Sequence, residues 1–213
     1  MLPLGLRNRL AELILESFDD PEARETLEAL AAFCLSADGQ VGAAAGSRLA
    51  ALGWFDPLET GRVRLRGACR PHREALCRRV SAALAALGQA ATSSEGASLP
   101  GRLARAACLA DAGLYFEVHE LLEPVWMGAE GPERIALQGL IQVAVGLHHA
   151  QSGNRDGTLS LLEEGLSKLA AVRAALPLCT ASWEAALAGT LTVLREGAPP
   201  PPAPPWPRPV ETV

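Results

Sequence analysis

Aromatic residues make up only 4% of this 213-residue chain, and lysine occurs once, at Lys168. Strands favour β-branched and aromatic side chains. Their scarcity, beside abundant alanine and leucine, excludes an all-β fold and predicts helix. The 19 basic residues are otherwise all arginine, which we read as codon bias and not as chemistry. A net charge of −5 disfavours a globally basic nucleic-acid binder and leaves room for a local basic patch. No apolar run reaches the roughly 18 residues of a membrane span. The N-terminal MLPLGLRNRLAEL lacks the apolar core and cleavage site of a signal peptide. A soluble cytoplasmic protein without a membrane partner is therefore expected. The five cysteines, Cys34, Cys69, Cys77, Cys108 and Cys179, are odd in number and form no CxxC pair. That argues against a disulfide framework and a cysteine zinc site, and predicts buried small hydrophobes. No GxxxxGK(S/T), GxGxxG or GxSxG string occurs, so a P-loop, a dinucleotide fold and a hydrolase elbow have no support.

What is present divides into zones. Residues 1–88 read as a first unit, residues 89–98 (QAATSSEGAS) as a small, polar linker, and residues 99–196 as a second unit. Residues 197–213 form a proline-dominated tail. The expected fold is mainly α. An antiparallel bundle of about five helices follows a small helical, winged-helix-like N-terminal unit with a short β hairpin.

In the first unit, Leu6, Leu10, Leu13 and Ile14 follow a helical period. Asp20 and Pro21 open a second helix through Leu27, Leu30 and Phe33, and a third spans Val41 to Leu52. Asp56-Pro57 reads as a turn. Val63 and Leu65 then alternate with Arg62, Arg64 and Arg66, the period of a strand, before helical spacing returns from Pro71 to Leu87. Between positions 62 and 79 stand Arg62, Arg64, Arg66, Arg70, Arg73, Arg78 and Arg79 against one acid, Glu74. Two readings stand. Arg62, Arg64, Arg66, Arg70 and Arg73 could form a nucleic-acid surface, or the arginines line a solvated helix face and an edge strand whose charge prevents sheet-to-sheet pairing. The third helix carries only Arg48 for phosphate or base contacts, where direct readout needs several such residues.

In the second unit, helical segments are expected at 99–112, 114–126 and 132–151. Another carries Leu159, Leu162, Leu166 and Leu169, and a last one spans Ala181 to Arg195. Trp183 reads as core, and Gly139 and Gly146 as points of close helix approach. The informative stretch is Tyr115-Phe116-Glu117-Val118-His119-Glu120-Leu121-Leu122-Glu123-Pro124-Val125-Trp126. His119 and Glu123 are four apart and share a helix face, flanked by Phe116 and Trp126. The next helix offers a stripe of Gln138, Gln142, Val145 and His149. If the stripes face each other, His119, Glu123, Gln142 and His149 converge. Two imidazoles and a carboxylate, His119, His149 and Glu123, are a fair ligand set for zinc, iron or another transition-metal ion. The same groups also make a satisfied buried hydrogen-bond network. The HExxE string differs from the zincin HExxH at its second helical ligand. Pro124 removes a backbone hydrogen bond within the motif helix and predicts a kink, or an end near Trp126. Asn154 reads as a helix cap, with Gly157 permitting close packing.

The HExxE motif with its nearby Trp, Gln138-Gly139-Leu140-Ile141-Gln142, His148-His149 and Gly153-Asn154-Arg155-Asp156-Gly157 together resemble the domain of unknown function family 309, over about residues 99–172. Carried over by position, the motif residues are His119, Glu120, Glu123, Trp126, Gln142, His149, Asn154 and Gly157. The resemblance implies a small all-helical bundle, carries no activity with it, and does not reach residues 1–88.

Three functions remain open from sequence: a helical domain whose His/Glu cluster binds a metal ion or small ligand, a non-enzymatic interaction protein in which the cluster is structural, and a nucleic-acid-binding regulator acting through residues 1–88. The tail is expected to be disordered. Its extended polyproline character would suit a protein partner with an aromatic groove.

Overall fold

The computed structural model describes residues 2–90, 96–172 and 174–210. Nine α-helices and one two-stranded hairpin occur among them, so the protein is mainly α. The chain divides into two compact units, Met1–Gly88 and Gln89–Val213. Residues 91–95 of the expected linker lie outside the described residues.

The first unit contains α1 (Leu4–Glu16), α2 (Pro21–Leu35), α3 (Ala43–Ala51), β1 (Phe55–Pro57), β2 (Val63–Leu65) and α4 (Arg73–Ala90). Asp20 caps α2 by accepting from the Glu22 N–H at 2.9 Å, and Pro21 begins the helix, where its missing N–H costs nothing. Asp56 and Pro57, expected as a turn, instead form the second half of β1. Phe55 pairs with Leu65, Asp56 with Arg64 and Pro57 with Val63. Proline is tolerated there because a two-stranded sheet is all edge. The alternation at 62–66 is real: Val63 and Leu65 are buried, and the arginines point outward. Gly39, at φ +79°, passes so close to the Val63 carbonyl that a Cβ would overlap it, and its own carbonyl accepts the Val63 N–H at 2.9 Å. Phe33 meets Phe55 edge-on at 4.8 Å. The Arg73 guanidinium lies 5.0 Å over the Phe33 ring and donates to the carbonyls of Phe33 and Ser36, which closes the C-terminus of α2.

The cysteine expectation is overturned. Cys34 on α2 and Cys77 on α4, 43 residues apart, form a disulfide. Spacing rules see local pairs, whereas this pair is made by packing two helices distant in sequence. Of the others, Cys108 is buried, Cys69 half-buried and Cys179 exposed.

The second unit contains α5 (Leu99–Asp111), α6 (Tyr115–Gly128), α7 (Gly131–Gln151), α8 (Arg155–Ala171) and α9 (Ala181–Arg195). Connections of a few residues make neighbours antiparallel. Arg134 near the start of α7 reaches the last carbonyls of α6, while His148 near the end of α7 meets Phe116 at the start of α6. Ser98 caps α5 through the Gly101 N–H, and Asn154 caps α8 through the Gly157 N–H, both at 3.1 Å. The core is aliphatic: Leu103, Leu109, Leu122, Leu137, Leu140, Val143 and Leu162 are all essentially buried.

Helices α7 and α8 approach closely through glycine. A Cβ at Gly139 would sit 2.9 Å from the Gly165 carbonyl oxygen, and one at Gly165 would sit 2.8 Å from that of Gly139. Gly165→Ala is therefore expected to destabilise through about 1–3 kcal/mol of overpacking, against the roughly 1 kcal/mol that alanine gains over glycine in a helix. Gly189 in α9 has nothing within 4 Å of such a Cβ. Gly189→Ala should stabilise by about 0.5–1 kcal/mol. Urea midpoints read both, and shifts of the same sign would refute the packing argument.

The tail also differs from expectation, for the described part is docked and not disordered. Trp206 is buried at 3% exposure and meets Trp183 at 4.7 Å. Its backbone N–H donates to the Asp111 carboxylate at 2.7 Å, Arg208 donates to the same carboxylate at 2.8 Å, and Val210 N–H donates to the Pro177 carbonyl.

Candidate functional site

Helix α6 turns Val118, Leu121 and Leu122 inward. That periodicity leaves His119, Glu120 and Glu123 along its flank, with side chains 26%, 36% and 42% exposed. His119 Nδ1 lies 3.0 Å from a Glu120 carboxylate oxygen, and His119 Nε2 lies 4.0 Å from one of Glu123. One ligand-type atom from each of the three falls within 4.8 Å of the others. The Phe116 ring stacks beside His119 at 6.3 Å and bridges to His148 at 6.0 Å.

The expected convergence of two stripes does not bring the other motif residues here. Gln142 bridges α7 to α8: its amide donates to Glu164 at 2.7 Å and its carbonyl accepts from Lys168 at 2.9 Å. His149, expected as a metal ligand, accepts from the Asn154 amide at 3.0 Å. A Cβ at Gly157 would lie 3.0 Å from the His149 ring. The physical reason is helical geometry. Gln142 and His149 follow Gly139 and Gly146 by three residues, so they share the face that those glycines press against α8. Glu120, which the ligand set from sequence left out, takes the place in the group that His149 was expected to fill. Glu117, which lies outside the eight motif residues, is fully buried on α6. Glu117, Glu120 and Glu123 look alike in the string until packing separates them.

Pro124 does not end the helix, which runs on to Gly128. Trp126 serves as a platform: the Arg134 guanidinium lies 4.5 Å above its ring and donates to the carbonyls of Trp126, Met127 and Ala129. One arginine from α7 thus supplies donors to the unsatisfied carbonyls that every helix C-terminus leaves.

In the first unit, Arg62 pairs with Asp38, Arg66 with Asp56 at 3.1 Å, and Arg73 is turned into the α2 carbonyls. The hydrogen bond from Arg62, then those from the Gln40 N–H and the Ser36 hydroxyl, hold the Asp38 carboxyl below the usual carboxylate range. Three of the five arginines considered for nucleic acid are therefore engaged with groups of their own unit. Arg64 and Arg70 stand exposed on the strand and beyond it.

Residues 103–161 match the model of a family described as a domain of unknown function, DUF309. The match lies within the second unit, covers most of α5, all of α6 and α7 and the first turns of α8, and includes all eight motif residues. No curated protein and no solved structure matches the chain.

Proposed function

We propose that the second unit is a metal-ion-binding helical domain in which His119, Glu120 and Glu123 hold a divalent transition-metal ion. The carrying observation is the convergence of one imidazole and two carboxylates within 4.8 Å on a solvent-reached helix face. An N/O set of this kind suits zinc, iron(II) or manganese. The 4.0 Å between His119 Nε2 and Glu123 is too long for a hydrogen bond. Two tetrahedral ligands each about 2.0–2.2 Å from one ion stand roughly 3.3–3.6 Å apart, so a small closing movement of the Glu123 side chain would bring the pair onto one ion. Glu120 at Nδ1 also supports a second arrangement of the same parts, in which it orients the imidazole while Nε2 and Glu123 bind. The exposure of all three favours an ion site over a sealed hydrogen-bond network, and leaves coordination positions for water.

The test is calorimetric titration of chelator-stripped protein with zinc, iron(II) and manganese, with elemental analysis after dialysis. About one ion per chain is expected. His119→Ala should abolish binding while leaving the helical circular dichroism intact, because the side chain lies on the partly exposed flank of α6 and alanine favours helix. Glu120→Gln should weaken binding by about 10–100-fold whether that residue ligates or orients. Absence of a retained ion, or equal retention by His119→Ala, would overturn the reading.

A further inference from the structure

The docked tail forms one wall of a cavity in the second unit that contains none of the metal-site residues. Its volume is about 220 Å³. Its floor is aliphatic, from Leu147 and Ala150 of α7 and Leu162 of α8, and Pro200, Pro201 and Ala203 close it from the tail side. The tail is held over it by the Trp206–Trp183 contact and by Asp111, which binds both the Trp206 N–H and Arg208.

Three hydroxyls line the cavity. Thr158 and Thr190, both almost wholly buried, donate their protons to the carbonyls of Asn154 and Ala186 at 2.8 and 3.3 Å. Each keeps lone pairs to accept with. Tyr115, only 9% exposed, makes no hydrogen bond among the described residues. Its hydroxyl oxygen is not sealed from solvent, so its donor is open to water or to a ligand in the cavity. Burial, and then the charge of Asp111, push the Tyr115 hydroxyl up from its ordinary value, so it remains a neutral donor at physiological pH. The lining therefore presents the Tyr115 hydroxyl as donor, the two threonine oxygens as acceptors, and the carboxamide of Gln151, which already donates to the Gly113 carbonyl at 2.8 Å, over an apolar floor with no charged side chain.

We propose that this cavity binds a small neutral alcohol or phenol, whose hydroxyl accepts from Tyr115 and donates to Thr158 or Thr190 while its hydrocarbon part lies on Leu147 and Leu162. A single hydroxyl does both jobs, which an ion or a pure hydrocarbon does not. The size fits: an apolar cavity of roughly 150 Å³ accommodates benzene, so about 220 Å³ leaves room for a substituted ring.

The experiment uses the full chain and p-cresol as probe. Thermal melts should show Tm rising by about 4 °C at about ten times Kd. Nuclear Overhauser contacts should join the p-cresol ring to the Leu147 and Leu162 methyls. Tyr115→Phe should weaken binding about 5-fold through loss of one hydrogen bond, and toluene should bind more weakly than p-cresol. Ala203→Trp, on the exposed tail side, should block the cavity and remove the shift. Contacts to other methyls, equal affinity in Tyr115→Phe, or absence of a shift up to the solubility limit would each overturn the proposal without depending on how any variant folds.

Discussion

Replacing Trp206 with alanine is expected to destabilise the second unit by about 3–5 kcal/mol, the usual effect of emptying a buried tryptophan site. Trp206 is 3% exposed, meets Trp183 edge-on at 4.7 Å, and its backbone N–H is held by Asp111. An edge-to-face aromatic pair adds about 0.5–1.5 kcal/mol to the area it buries. The neighbouring prolines assist docking, because a chain restricted before folding loses less entropy on being held. Thermal or urea unfolding of Trp206→Ala measures the loss. Limited proteolysis should then cut near Arg208, whose pairing with Asp111 at 2.8 Å depends on a docked tail. A Tm unchanged within about 1 °C, where a 1 kcal/mol loss shifts Tm by several degrees, would mean that the tail contributes nothing.

The second large effect is expected in the first unit. Reducing the Cys34–Cys77 bridge should lower stability by about 4 kcal/mol, the chain-entropy value for closing a loop of 43 residues. The bridge ties α2 to α4, two helices otherwise joined at Arg73 and the α2 carbonyls. Titrating denatured, unreduced protein should find three thiols, from Cys69, Cys108 and Cys179. Five would show the bridge to be absent. Tm should fall on adding a phosphine reductant, and Cys34→Ser/Cys77→Ser should melt at that lower temperature with or without it. Disulfides are rare in a reducing cytoplasm, so this bridge and the cytoplasmic expectation pull in opposite directions, and the thiol count on protein from its native compartment separates them. Among the described residues no helix is long and apolar enough to cross a membrane.

Much of the helix content was legible because helix boundaries are written locally. Asp20-Pro21, Ser98 and Asn154 mark starts through groups that bond backbone a few residues ahead. The last helix falls on Ala181–Arg195 as its spacing predicts. The strand at Val63–Leu65 was equally local, since a two-residue period declares which side chains are buried. Its partner was not. Asp56-Pro57 carries turn residues, and only pairing with Val63 and Arg64 makes a strand of it. The candidate site was half legible. The spacing of His119 and Glu123 places them on one face whatever the helix meets, but the choice between Glu120 and His149 as the third member depended on which neighbour each helix face found.

The sequence by itself therefore determined a mainly helical protein, the positions of most helices and of the strand at Val63–Leu65, the polar flank of α6 and the family that residues 103–161 match. Tertiary structure alone decided the pairing of Cys34 with Cys77, the turning of Gln142 and His149 toward α8, and the seating of Trp206 against Trp183 across a proline-rich tail. The reason is the range of the interactions. Periodicity and capping act over one to four residues and are visible in the string. A disulfide, a glycine-permitted helix contact and a buried tryptophan join residues 20 to 100 positions apart, and nothing in their local sequence names the partner.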